Sequence, residues 1–411
     1  MKQPNYKPTI LACFIGYGVQ ALTINFAPLL YITFQNKYGM SLPQISSLIA
    51  VCFAVQLMTD AFAAKFSSKL KPRAAAVFAN VLAAIGIAGM GLLPEIMPPY
   101  IGLLIATVLS GTGSGLVEVM ISPIVEACPT KRKAAMMSLL HSFYCWGQAT
   151  VVLLSNLFFL AVGIDDWKLL ALLWAIIPTV DAILFLFVPL APLDSDQTPS
   201  QKKTLFRSPV FWALIAVMAC AGASEMAMSQ WASYFAEAGL KVSNATGNLL
   251  GPCLFAILMG SARVIYGLNG SKIDIGKGLH YSAILCLTCY ILAALSKNPI
   301  ISLLGCAVCG FSVGLMWPGT LSMASGYFPK AGPALFAILA LAGDIGCSIG
   351  PWIVGQISDF IVNSYETSMF LQNFGIGKLE LGIKSGLLFI AVFPVIMIVT
   401  ISFIKKTFKK F

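Results

Sequence analysis

The sequence is short of charge. Only 10% of its 411 residues are Asp, Glu, Lys or Arg, whereas 58% are apolar; soluble domains carry about 25% charged and about 45–50% apolar residues. A water-soluble globule is excluded, because no single core absorbs so much apolar chain. Histidine is scarcer still, at two residues, and no His or carboxylate stands at metal-ligand spacing from the cysteines. The eleven cysteines lie mostly inside apolar runs, as with Cys286 and Cys289 or Cys306 and Cys309, and read as membrane packing. No Gly-rich loop ending in Lys-Ser/Thr is present, which argues against ATP hydrolysis and leaves an ion gradient as the energy source. No small-residue cleavage site follows the first apolar run, so that run is expected to be a retained span. The net charge of +10 is dispersed in small groups, not in one stripe with interleaved aromatics, so nucleic acid is not an expected partner.

What is present is hydrocarbon-length chain. Runs without charge, such as 74–94, 279–295 and 387–404, are long enough to cross a hydrocarbon core of ~30 Å as helix. Hydropathy predicts twelve spans, near 8–34, 43–66, 74–94, 99–127, 134–162 and 168–190, then 209–237, 247–268, 278–296, 299–327, 332–361 and 384–405. The expected architecture is an all-α membrane protein of twelve transmembrane helices in two pseudo-symmetric six-helix bundles, 1–190 and 209–411. The polar segment 191–208, with Pro192, Asp194, Asp196, Pro199, Lys202, Lys203 and Arg207, forms a cytoplasmic linker between them. With the N-terminus inside, 20 of the 26 basic residues fall in cytoplasmic segments, which predicts a cytoplasmic membrane protein with both termini inside.

The halves echo each other at an offset near 200 residues. The segment 64–70 after the second span matches 267–273 after the eighth. Gly111-x-x-x-Gly115-Leu116 matches Gly310-x-x-x-Gly314-Leu315, and Pro129 matches Pro329. Such a duplication suits two bodies that rock around a central site. Glycines four residues apart let helix backbones approach closely in lipid, and close packing is the plain reading of all of them, including Gly343, Gly346, Gly350 and Gly355.

Three local motifs add to this pattern: Leu116-Val117-Glu118-Val119-Met120-Ile121-Ser122-Pro123, Leu139-Leu140-His141-Ser142-Phe143-Tyr144-Cys145-Trp146-Gly147, and Gly222-Ala223-Ser224-Glu225 followed by Trp231 and Tyr234. With the twelve-span duplication, the whole chain resembles the major facilitator superfamily, and within it the fucose:proton symporter branch. The resemblance implies a secondary transporter, not an enzyme, with Glu118 at the branch's proton-carrying position. The chain departs from the pattern in two places. Ser68 and Lys71 stand where the loop signature has an acid and a Gly, although Lys69 and Arg73 are kept; the first span offers only Gln20, Asn25 and Gln35 where fucose symporters carry an acid. Fucose itself is therefore not implied.

An ionisable residue in hydrocarbon costs about 2.5–3.5 kcal/mol on insertion scales, so each needs a reason to persist there. Glu118, Glu225, His141 and Asp344 are the expected proton-coupling residues; His141 and Asp344 are 203 residues apart and so sit at equivalent depths of the two repeats. Satisfied structural hydrogen bonds are the competing reading of each. Asp60 and Arg263, also 203 apart, are expected in the cytoplasmic gate with Glu126, Lys69 and Arg73, while Asp181 has no evident partner. Gln20, Asn25, Tyr144, Trp146, Gln148, Trp231, Tyr234 and Trp317 are candidate solute contacts; the aromatic ones supply flat faces with polar tips, and packing is the commoner use of such rings.

No Lys or Arg is expected at the middle of a span, which favours a neutral or hydroxylated, sugar-like solute over a di-anion. The expected activity is proton-coupled symport by alternating access, with a solute, a proton and the lipid bilayer as partners, no cofactor or metal, and the chain acting as a monomer. Proton-antiport efflux of a lipophilic metabolite or drug is the alternative, given the many Met and Phe residues. A membrane enzyme using His141 and Glu118 is disfavoured, since no nucleophile and base accompany them.

Overall fold

The computed structural model describes residues 5–66, 71–129, 133–192, 207–269, 274–328, 332–365 and 376–408, apart from some side chains near the ends of these segments. Lys69, most of the 191–208 linker, Pro329 and the side chain of Glu126 lie outside what is described. Within it are twelve helices long and apolar enough to cross a membrane: α1 Lys7–Tyr38, α2 Leu42–Phe62, α3 Pro72–Ile96, α4 Pro99–Val125, α5 Leu139–Ala161, α6 Ile164–Phe187, α7 Pro209–Gly239, α8 Asn244–Tyr266, α9 Ile275–Leu295, α10 Pro299–Tyr327, α11 Ile338–Ser364 and α12 Lys378–Lys406. All twelve expected spans are there, because backbone amides in hydrocarbon have no partner but their own helix.

The helix ends follow local chemistry. Proline occupies the first turn of α1, α3, α4, α7 and α10, where its missing N–H removes nothing and its fixed φ suits the helix. Asn298 caps α10 by accepting from Ile300 N at 2.9 Å, and Asp274 caps α9 by accepting from Lys277 N at 2.9 Å. Five helices are irregular within their length, α10 turning at Leu315 and α12 at Ala391 besides α1, α7 and α8. A 3-10 turn, Ala27–Leu30, interrupts α1 at Pro28; α7 ends in a π turn, Phe235–Gly239; α8 contains a second, Leu249–Cys253, around Pro252. Loss of a proline N–H accounts for the first and the last.

The chain divides into two compact units. The first holds 1–33 and 51–197, the second 34–50 and 198–411. Segment 34–50 groups with the second unit through Gln356 Nε2 donating to Ser46 Oγ at 3.1 Å and Ser348 Oγ donating to the Ala50 carbonyl at 3.1 Å.

The repeat seen in the sequence is also present in the packing. In the first unit, Gly111 and Gly115 of α4 lie against the backbone of Cys52 and Gln56, with the Cβ positions 3.0 and 3.1 Å from those carbonyl oxygens. In the second, Gly310 and Gly314 of α10 lie against the carbonyls of Phe255 and Met259. Cys52 and Phe255, and Gln56 and Met259, are each 203 residues apart. Each unit thus docks its fourth helix on its second by the same pair of glycines.

Candidate functional site

Glu118 in the first unit and Glu225 in the second each meet polar side chains of neighbouring helices, and the two are answered by different chemistry. In the first unit Glu118 projects from α4. Gln20 of α1 donates its amide to Glu118 Oε2 at 2.7 Å, and Gln56 of α2 donates to the same oxygen at 2.5 Å. Ser114, one turn back on α4, reaches Gln56 Oε1 at 3.5 Å. Gln56 is positioned by the Gly115 seam, which brings the α2 backbone close enough for an amide to span to α4. Both donors fall on one carboxylate oxygen, and they are neutral. Oε1 takes no part in either bond, and Glu118 is only partly buried. Gln20 and Gln56 are both buried, and Gln20 Oε1 has no hydrogen-bond partner.

One turn along α4, Ser122 Oγ shares a 3.0 Å hydrogen bond with Tyr17 OH, which is also 3.1 Å from His141 Nδ1. The Tyr17 and His141 rings meet edge to face at 5.2 Å. Three helices are therefore linked by a polar chain beside Glu118. Higher on α1, Asn25 donates to the Ala21 carbonyl at 2.9 Å and to Tyr144 OH at 3.3 Å. Gln148 is buried on α5, whereas Trp146 is 40% exposed.

In the second unit Arg263 of α8 sets its Nη2 3.3 and 3.5 Å from the two oxygens of Glu225 and 3.7 Å from Met259 Sδ. Arg263 is the twentieth of the 23 residues of α8, and Glu225 the seventeenth of the 31 of α7. The three-methylene stem of Arg263 lets its guanidinium reach the carboxylate from the neighbouring helix. Arg263 thus meets Glu225, while Asp60, its counterpart in the repeat, sits partly buried in α2 of the other unit. Asp344 is buried in α11, and it and His141 belong to different units.

The remaining aromatic candidates have packing partners. Trp231 is fully buried, donates Nε1 to the Pro351 carbonyl at 2.9 Å and meets Tyr234 edge to face at 5.4 Å. Trp317 covers Gly343, whose missing side chain leaves room for the indole. Arg73, expected in the cytoplasmic gate, donates its guanidinium to the carbonyls of Phe185, Leu186 and Val188 at 2.7, 2.6 and 2.8 Å, closing the end of α6. Gln56, Tyr17 and Ser122 were not singled out from sequence. Among the described residues no group of three His, Cys, Asp or Glu side chains is placed to hold a metal ion.

The family model of the Major Facilitator Superfamily matches residues 10–351. No curated protein sequence matches. Among solved structures, the fold is similar to a bacterial homologue of the human lysosomal transporter Spinster, in an inward-facing and occupied conformation, with TM-score 0.79 and 15% identity over 100% of this chain and 99% of that one. It is also similar to a D-xylose-proton symporter, with TM-score 0.71 and 16% identity over 94% and 96% of the two chains. The Escherichia coli fucose:proton symporter follows at TM-score 0.63 and 16% identity over 97% and 98%.

Proposed function

Since the chain belongs to the major facilitator superfamily and is a multi-pass membrane transporter, we propose that it couples a proton gradient to the movement of a small neutral or hydroxylated solute across the cytoplasmic membrane, both termini lying inside. The observation that carries this reading is Glu118 held by two neutral amides. A carboxylate answered only by amides gains less from staying ionised than one facing a cation, so it is a group able to take up a proton and give it back. Oε1, outside both amide bonds, is the oxygen that accepts it.

In the ionised form Gln20 and Gln56 hold Glu118 against α1 and α2. Protonation removes the charge from this junction of three helices, so that proton and solute together permit the reorientation that the charged, empty carrier resists. Arg263 is already neutralised by Glu225, so the second unit presents a pair with no net charge. That fits a hydroxyl-bearing solute better than an anion. The xylose- and fucose-proton symporters among the similar folds support this choice of solute class.

The test is uptake into proteoliposomes under an imposed pH gradient, with neutral sugars and polyols as solutes. Glu118→Gln is expected to abolish gradient-driven accumulation while sparing solute exchange. A Gln variant that still concentrates solute removes Glu118 from coupling. Acidification, rather than alkalinisation, of the external medium on solute entry would replace symport by antiport.

A further inference from the structure

A string of hydrogen bonds leads from the first turn of the α5 span to the part of α4 that carries Glu118. His141 is the third of the 23 residues of α5 and is exposed, whereas Tyr17 of α1, whose hydroxyl is 3.1 Å from His141 Nδ1, is buried. Tyr17 OH shares a 3.0 Å bond with Ser122 Oγ, and Ser122 is the twenty-fourth of the 27 residues of α4. Glu118 stands four residues deeper in the same helix, so the two side chains are neighbours on one face. The joint between α1 and α5 is fixed on both sides of this string. Phe14 stacks on Phe143 with ring centroids 4.3 Å apart, and the Cβ position of Gly147 is 3.1 Å from the Gly18 Cα. Packing therefore holds Tyr17 and His141 at bonding distance, their rings edge to face. The other titratable groups on the elements around α5 are Cys13 of α1, Glu118 and Cys128 of α4 and Asp181 of α6, with Cys145 on α5 itself. Asp165, Asp166 and Lys168 lie where α5 ends and α6 begins, and the side chains of Glu126 and of residues 131–133 lie outside what is described.

A tyrosine hydroxyl has one hydrogen to give, and here it has two partners, so the string has a direction. With the neutral imidazole protonated at Nε2, Tyr17 donates to Nδ1 and accepts from Ser122, and every hydrogen points towards the exposed end. That polarity suits discharge of Glu118. The proton of the neutral carboxyl passes to Ser122 Oγ, the Ser122 hydrogen to the Tyr17 oxygen, the Tyr17 hydrogen to His141 Nδ1, and the Nε2 hydrogen leaves to water. Each oxygen and nitrogen of the string gains a hydrogen as it gives one up, so no charge stays on it. An imidazole suits the exposed end, because it exchanges protons near neutral pH.

We infer that Ser122, Tyr17 and His141 are the path by which Glu118 gives up its proton at the end of the first unit where α4 finishes and α5 starts, with Tyr17 fixing the tautomer of His141. The inference rests on the reading of Glu118 as the proton-binding group. Two measurements on the full-length protein in lipid test it. The chain has two histidines, so nitrogen NMR of isotope-labelled His280→Gln sees His141 alone. Neutral His141 is expected to carry its hydrogen on Nε2, and Tyr17→Phe, which keeps the ring and its packing, to give mixed tautomers. A neutral ring protonated at Nδ1, or a spectrum that Tyr17→Phe leaves unchanged, overturns the path. Infrared spectroscopy after a jump from acid to alkaline pH then times the loss of the protonated-carboxyl band that Glu118→Gln lacks. Tyr17→Phe and Ser122→Ala are expected to slow that loss about 100-fold, the low end of what a positioned proton-transfer group contributes. Loss at the wild-type rate in both variants overturns the path and leaves Glu118 as the proton-binding group. The absence of any band that Glu118→Gln removes overturns both.

Discussion

Replacing Arg263 by Gln strands Glu225. The two side chains are 18% and 6% exposed and approach to 3.3 Å, a separation at which unit charges attract by ~5 kcal/mol at an effective dielectric constant of about 20. That attraction is mostly cancelled by the cost of desolvating both ions, so the pair as a whole adds little. Removal of one partner is another matter, since the remaining buried charge then has no compensation; such breaks cost about 3–5 kcal/mol. Arg263→Gln is accordingly expected to lose most of that, Glu225→Gln less because the more exposed guanidinium is left behind, and the double variant, with two neutral amides, to recover the larger part of the Arg263→Gln loss. The assay is equilibrium unfolding in mixed micelles, with the four proteins forming a double-mutant cycle. An interaction of roughly 2 kcal/mol or more is predicted, inside the range of ~0.5–3 kcal/mol found for residues in contact. Two single losses that add to the double loss within ~0.5 kcal/mol would refute the reasoning, and so would an Arg263→Gln protein as stable as the wild type.

Three other substitutions bear on separate parts of the molecule. Arg73→Ala should destabilise the first unit by about 1.5–3 kcal/mol, the scale of hydrogen bonds to a charged group, and leave solute turnover per folded molecule unchanged; Arg73→Lys should not rescue it, since an ammonium lacks the planar fork that reaches three carbonyls. Gly346→Ala puts a methyl onto the Ala219 carbonyl and should cost ~1–3 kcal/mol as overpacking, whereas Gly18→Ala, with nothing within 4 Å of its Cβ position, should be neutral or stabilise by up to ~1 kcal/mol; comparable melting temperatures for the two would contradict the packing described. Asp274→Ala removes the cap of α9 and should cost about 1 kcal/mol. The hydrogen bond from Lys277 N holds the Asp274 carboxyl below its ordinary range, so this contribution is complete at neutral pH and fades as the pH falls through that lowered value; a wild-type minus Asp274→Ala difference that grows on acidification runs against it.

Span existence was legible because hydrocarbon imposes a length and a composition together. The third span, expected at 74–94, is Pro72–Ile96, and the eighth, expected at 247–268, is Asn244–Tyr266. The repeat offset was legible too, down to the glycine pairs of α4 and α10 that sit on residues 203 apart. The partners of the carboxylates were not. An offset along the chain gives depth in the bundle but not direction around a helix. Arg263 was grouped with Asp60 by their 203-residue offset, and its contact with Glu225 had no such pattern to announce it. Gln56 was passed over because one amide in an apolar helix adds little to hydropathy; its counterpart in the second repeat is Met259, so the duplication gave no hint either. Tyr17 read as an ordinary packing aromatic until its hydroxyl met Ser122 and His141. Asp181 was noticed and left without a partner, and the structure buries it fully on α6.

The seam between α7 and α11 has a mechanical consequence. At Gly346 and Gly350 the ridge of one backbone rests in the other, with the Gly350 Cβ position 2.6 Å from the Ala223 carbonyl, and Trp231 pins the same pair by its bond to Pro351. Interlocked peptide planes cannot slip by a fraction of a turn without collision, so these two rods are welded into a single strut. Whatever load the carrier transmits as it changes state, flexing must occur elsewhere, and the interrupted stretches of α1, α8, α10 and α12, near Pro28, Pro252, Pro318 and Pro394, are compliant joints placed to absorb it.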